Sequence, residues 1–175
     1  MSPDARKFLN YEFATLSLVA GLATRNPLSP IYRMSVSEEE RQRTKGWIRL
    51  KLKTIGEQYR AGPISESKHI ENIATLAATT THELGGLLFQ DKLRFGVAQK
   101  ILNLYLKYLW VTDYIAEPPH CPIDGRIAQK AKLFYQWTTS DSQQEYEEAV
   151  AALKAGPPGS SIATWELREF EVGRR

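Results

Sequence analysis

The residues best placed to do chemistry lie in one stretch, Leu93 to Lys130, LRFGVAQKILNLYLKYLWVTDYIAEPPHCPIDGRIAQK. Lys100 follows the turn glycine Gly96 and stands near the start of a long apolar run. A lysine amine is a nucleophile when neutral, and partial burial lowers its pKa toward that state. Further on, Pro122 keeps Cys121 extended, and Asp124 precedes the apolar-periodic segment Ile127-Ala128 and Ala131-Lys132-Leu133. An aspartate there caps the next helix by accepting backbone N–H groups at its positive end.

The elements that must position this pair are helices. The run from Gly96 to about Val111 predicts a helix; at 100° per residue, Ile101, Leu102, Leu104, Tyr105, Leu106, Tyr108 and Leu109 cover most of its circumference. Such a helix is central and buried. Lys100, Asn103 and Lys107 share the remaining arc, with Gly96 and Trp110 beside them. Unpaired burial of that arc is costly, so it faces solvent, a polar network, or a ligand cleft with Lys100 at its mouth.

Gly96-Val97-x-x-Lys100 opening one helix, and Pro122-Ile123-Asp124 opening a second, resembles the helix–hairpin–helix DNA glycosylases, in particular the 8-oxoguanine glycosylase branch. Arg126-Ile127-Ala128-Gln129 continues the similarity. The hairpin reads Leu93-Arg94-Phe95-Gly96, and Ala98 stands where a second glycine is usual. The stretch is also similar to a group of uncharacterised bacterial proteins.

The resemblance implies a compact all-α fold with two lobes around a cleft. It implies that Gly96, Val97 and Ala98 present backbone N–H groups to a DNA phosphate, with Arg94, Arg126 and Lys130 adding positive charge. Lys100 would be the nucleophile and Asp124 the catalytic carboxylate. Asn103, Lys107, Trp110 and His120 are pocket candidates, and Tyr105, Tyr108 and Trp137 are further stacking surfaces or core aromatics. The implied activity is base excision with a Schiff-base lyase step, on duplex DNA carrying a damaged or modified base, without metal or cofactor. Two alternatives stay open: a non-enzymatic nucleic-acid-binding protein, and an all-α protein interaction module in which Lys100 is merely solvated.

The chain's 175 residues suit a single domain, 42% of them are hydrophobic, and the formal net charge is +3. That mild basicity is compatible with an acidic partner. Cys121 is the sole cysteine, which excludes an internal disulfide and a cysteine-ligated iron–sulfur cluster, and points to a reducing compartment. Phe13 to Ala23 is far short of the ~20 residues needed to span a bilayer, so a cytoplasmic location and no membrane partner are expected. Phosphate-loop, dinucleotide-fold and serine-hydrolase motifs are absent, and His69 and His82 lack ligand-spaced neighbours.

Around the central stretch, helices are expected over Pro3–Thr24 and over Glu38–Arg60 behind a Ser37-to-Glu40 capping box. The first should bury Phe8, Tyr11, Thr15, Leu18 and Leu22; the second should bury Ile48, Leu52, Ile55 and Tyr59. Arg41, Lys45, Arg49 and Lys53 form a basic row on the second, either a solvated face or one that tracks phosphates. Further helices are expected after Ser65 or Ser67, over Gly125–Trp137 with Ile127, Leu133 and Phe134 inward, over Gln143–Lys154, and over Ile162–Val172 after a linker at 155–161. Leu84 to Phe89, with its double glycine, is a short helix or turn.

Overall fold

A computed structural model describes residues 1–24, 26–156 and 159–172. Among them are seven α-helices: α1 (Pro3–Leu22), α2 (Glu38–Gln58), α3 (Glu66–Leu84), α4 (Phe95–Val111), α5 (Gly125–Lys130), α6 (Gln143–Ala155) and α7 (Ile162–Val172). No strand occurs among the described residues; Tyr32 and Leu88 form one isolated bridge. The fold is all-α. None of the described helices is long and apolar enough to cross a membrane.

Local chemistry sets most helix starts. Ser2, Ser65 and Ser142 each accept a backbone N–H of the first turn, and Ser37 and Glu40 close a reciprocal capping box. The double glycine belongs to a pair of 3-10 turns, Gly85–Leu87 and Phe89–Asp91. A Cβ on Gly85 would sit 2.6 Å from the Asp91 carbonyl oxygen, so the chain needs a glycine to fold back that tightly.

α4 is the axis of the core. Val97, Ala98, Ile101, Leu102 and Leu106 are fully buried, and Ile48 and Leu52 of α2 and Ile73 and Leu76 of α3 join them in one apolar cluster. The buried face expected for α2, Ile48, Leu52, Ile55 and Tyr59, is the one observed. α4 ends where Asp113 takes φ 56°, with Asp113 N–H donating to Trp110 and Tyr114 N–H to Leu109, a left-handed C-terminal cap.

Two expectations are corrected. α1 packs on α4 through Ala14, Ser17, Leu18, Gly21 and Leu22, while Phe8 is 61% and Tyr11 52% exposed. The cause is close approach: a Cβ on Gly21 would lie 2.2 Å from Ile101 Cγ1, so the contact is made by Ala14, Ser17 and Gly21 beside Leu18 and Leu22, and Phe8 and Tyr11 lie outside it. α5 also stops at Lys130, short of Trp137. Lys132 turns left-handed at φ 55°, Lys132 N–H donates to Gln129, and Leu133 N–H donates to Ala128 at 2.8 Å. The chain beyond runs irregularly, burying Tyr135 and Trp137 and leaving Phe134 fully exposed.

Candidate functional site

Five residues in sequence build the start of α4. Phe95 N–H donates to Asp141 Oδ1 at 3.2 Å and Gly96 N–H to the Ser140 carbonyl at 3.0 Å. Val97 and Ala98 N–H groups donate to the Arg94 carbonyl at 3.1 and 3.0 Å. The helix N-terminus is therefore sealed by the 140–141 turn, and the N–H groups expected to meet a phosphate are occupied. Gly96 is explained by packing, since a Cβ there would lie 2.2 Å from the Trp137 carbonyl oxygen. Arg94 is also interior, 4% exposed, with Nη2 donating to the Ser29 and Pro30 carbonyls at 2.9 Å each. Burial holds its pKa below the ordinary arginine value. It ties the 29–30 loop to α4 rather than facing outward.

One turn further on, Lys100 reaches across to the start of α5. Its Nζ lies 3.9 Å from Asp124 Oδ2 and 3.9 Å from the centroid of the Trp137 ring. Its side chain is 13% exposed and that of Asp124 30%. Burial pushes the lysine pKa down, opposed by the Asp124 charge. Asp124 is at the same time the cap of α5, its Oδ1 accepting the N–H groups of Arg126 at 3.0 Å and Ile127 at 3.2 Å. The two oxygens divide the work: one caps, the other faces the ammonium.

The polar arc of α4 delivers Asp124 to that position. Gln99 clamps the extended backbone at Ile123 from both sides, with Nε2 donating to its carbonyl at 2.7 Å and Oε1 accepting its N–H at 3.2 Å. Asn103 Nδ2 donates to the Cys121 carbonyl and to Tyr146 Oη, both at 3.0 Å. Both side chains are fully buried; these bonds satisfy both ends of Gln99 and the Asn103 amide nitrogen, while Asn103 Oδ1 stays without a partner. Asn103 is thus a structural tie. Gln99 was missed in the sequence, where its i, i+4 spacing from Asn103 on a mostly apolar helix was the available signal.

Lys107 is closed off by α7. Its Nζ pairs with Glu166 Oε2 at 2.6 Å and sits 4.5 Å from the Phe170 ring centroid, with both charged side chains under one-tenth exposed. Burial raises the Glu166 pKa, and its bond to Lys107 opposes that. Lys130 donates to both the carbonyl and the carboxylate of Glu169 at 2.7 Å. Arg126 is exposed. The space left against Asp124, lined by Arg126, Ile127, Lys130, Glu166, Glu169 and Phe170, is about 40 Å³. Trp110 is half-buried against the core beside Pro118 and Cys121.

His120 lies in a second buried polar system. Tyr146 Oη lies 2.8 Å from its Nδ1, Glu66 Oε1 lies 3.0 Å from its Nε2, and Lys154 holds the other Glu66 oxygen at 2.5 Å. The His69 ring lies 4.6 Å from that of His120, and His69 Nδ1 is 2.8 Å from Tyr59 Oη. Burial pushes His69 down to about 3 and lowers His120 as well. Both rings are therefore neutral near pH 7, with Nε2–H of His120 donating to Glu66 and Nδ1 accepting from Tyr146. No group of three side chains among the described residues is arranged to hold a metal ion.

Comparison with family models, curated proteins and solved structures finds no match to this chain.

Proposed function

We propose that Lys100 and Asp124 form a lysine–carboxylate pair of the glycosylase and lyase kind, acting on DNA with a damaged or modified base. The observation that carries this reading is the 3.9 Å approach of Lys100 Nζ to Asp124 Oδ2, between residues of two different helix starts, with the lysine largely withdrawn from water. Burial favours the neutral amine that the reaction needs. The amine would add to the sugar C1′ as the glycosidic C–N bond breaks, the base departing with the electron pair and gaining a proton. Asp124 would stabilise the cationic sugar and carry that proton. Opening of the ring would leave a Schiff base on Lys100, from which β-elimination cuts the strand.

The reading has a structural requirement. A flipped base needs a pocket, small-molecule pockets run to roughly 300 Å³ or more, and the space against Asp124 is about 40 Å³. α7 must therefore move aside, releasing Lys107–Glu166 and Lys130–Glu169, to open the cleft between two lobes that the reading includes. Phosphate contact would fall to Arg126 and Lys130, or to Gly96 once the Ser140 carbonyl lets go.

Borohydride trapping on abasic and lesion-containing duplex is the direct test. A covalent complex with the native chain, its loss in Lys100→Gln and slow base release in Asp124→Asn with duplex binding kept are the expected results. No base release across a broad lesion panel would remove the reading.

A second reading, binding without catalysis, is favoured by the space of about 40 Å³ against Asp124, which does not admit a flipped base. Salt-dependent duplex affinity without any trapping would select it.

A further inference from the structure

On another side of α4, a pocket of about 600 Å³ opens between the N-terminal half of α1 and the C-terminal half of α2. Tyr105 forms part of its lining from α4, joined by Tyr11 and Ala14 of α1, Leu50 of α2 and Tyr114. The same lining carries four cations, Arg6, Lys7, Arg49 and Lys53, against one carboxylate, Glu57. That carboxylate is already engaged, by Arg60 at 2.8 Å and by Tyr114 Oη at 3.0 Å. None of the four cations is in an ion pair among the described residues. Lys7 and Lys53 are exposed, and Arg49 stacks over the half-exposed Tyr11 at 4.4 Å while one Nη donates to Thr15 Oγ1 at 3.2 Å.

The pocket is also the end of a track. Arg49 and Lys53 are the last two members of the row Arg41, Lys45, Arg49 and Lys53 on α2. At four-residue steps the row advances about 6 Å per cation along the helix; Lys45 lies 3.8 Å from Glu38 and Arg41 over the Tyr32 ring, so a strand along it exchanges those contacts for phosphates. A lone carboxylate would need one or two of these charges. A regular row leading into a pocket lined by tyrosines suits a polyanion with flat apolar groups attached. Single-strand binders combine those two features, a cationic groove along the backbone and aromatic side chains under the bases.

We propose that the α1–α2 face binds single-stranded nucleic acid, with one nucleotide seated in the Tyr11–Tyr105–Tyr114 pocket and the adjoining phosphates running along the α2 row. Arg49 and Lys53 hold the phosphate nearest the seat, with Lys7 on the opposite rim. The base lies against Tyr11 and Leu50, which are 52% and 67% exposed, displacing Arg49 from the Tyr11 ring toward the phosphate. This site stands apart from the Lys100–Asp124 pair and does not depend on its chemistry.

The test is fluorescence anisotropy of the full chain with a labelled oligothymidine, as a function of salt. Binding of the single strand in preference to duplex of the same length is expected. Lys7→Glu with Lys53→Glu, both at exposed positions, should weaken it at least tenfold and flatten the log K against log salt slope by about 1.4. Tyr11→Ala should weaken it several-fold with the slope unchanged. Lys100→Gln should bind as the native chain does, which separates this site from the proposed reactive pair. Circular dichroism on every variant checks folding, and Arg49→Gln gives a second, milder reading of the same charge row.

No binding, or binding indifferent to the Lys7/Lys53 and Tyr11 changes, would overturn the proposal. So would preference for duplex, or tighter binding to vesicles of anionic lipid or to an acidic peptide. Thymidine monophosphate competing as well as the oligonucleotide would overturn the strand and leave only a free-nucleotide seat.

Discussion

α4 separates two polar regions that are opposite in kind. Near Lys100 and Asp124 most of the charged and amide groups engage one another, and α7 leaves about 40 Å³ of space. Between α1 and α2 there is about 600 Å³, and among the described residues none of its four lining cations forms an ion pair, although the Lys53 charge acts on Glu57. The groups that suit covalent chemistry are thus in the closed region, and the volume that suits a ligand is in the open one. Saturated polar groups fix a chain in place, whereas unsatisfied charges at a concave surface are free to recognise something else.

The α7 clasp is the most sensitive part of the closed region. Glu166→Ala leaves the Lys107 ammonium buried without its partner, and stability should fall by about 3–5 kcal/mol in chemical denaturation. A paired Lys107→Met and Glu166→Leu replacement should recover most of that loss. If Glu166→Ala changes stability by less than 1 kcal/mol, α7 is not the cover described. The same variant should raise borohydride trapping if the Lys100–Asp124 pair is reactive.

Acidification probes the buried histidine system beside the closed region. His69 has a folded-state pKa of about 3, well under its ordinary 6.5, and His120 is lowered too. The unfolded chain binds those protons first, so stability is complete above about pH 6.5 and declines as pH falls from there toward 3. Each ring contributes up to about 1.4 kcal/mol per pH unit within its own window. His69→Phe should flatten the dependence in a pH series of urea melts; an unchanged slope would show that the ring is not held neutral.

Gly96→Ala is a smaller perturbation, expected to cost about 1–3 kcal/mol through the clash with the Trp137 carbonyl. Thermal melts would detect it, and a neutral result would mean that the 137–141 turn is free to give way. Smallest of all, Asp124→Asn keeps a competent cap and should change stability by under about 1 kcal/mol, while Asp124→Ala loses the cap and costs about 1 kcal/mol more. Equal effects of the two would place the carboxylate's structural value in the Lys100 pairing rather than in the cap.

Much of the fold was legible because its signals are local. Serine caps, the Ser37–Glu40 box and the i, i+4, i+7 apolar spacing of α2 depend on neighbours within a turn or two, and they fixed helix positions and the buried face Ile48–Tyr59. The left-handed end of α5 at Lys132 carried no such signal, because a lysine there breaks the usual glycine preference. α1 misled for a related reason. Of its large apolar residues at helical spacing, Leu18 and Leu22 are buried but Phe8 and Tyr11 are not, because the approach of α4 selected the side that also bears Ala14, Ser17 and Gly21.

The candidate site divides in the same way. The sequence alone determined that Lys100 lies on the polar arc of an apolar helix and that Asp124 heads another, since both follow from periodicity and capping. Only the tertiary structure decided that Gln99 clamps Ile123, that Glu166 takes Lys107, and that the Ser140 carbonyl takes the Gly96 N–H. Those partners lie 24, 59 and 44 residues away along the chain, beyond the reach of any local pattern. Which polar groups end up satisfied, and which are left facing a pocket, is a property of packing between distant segments.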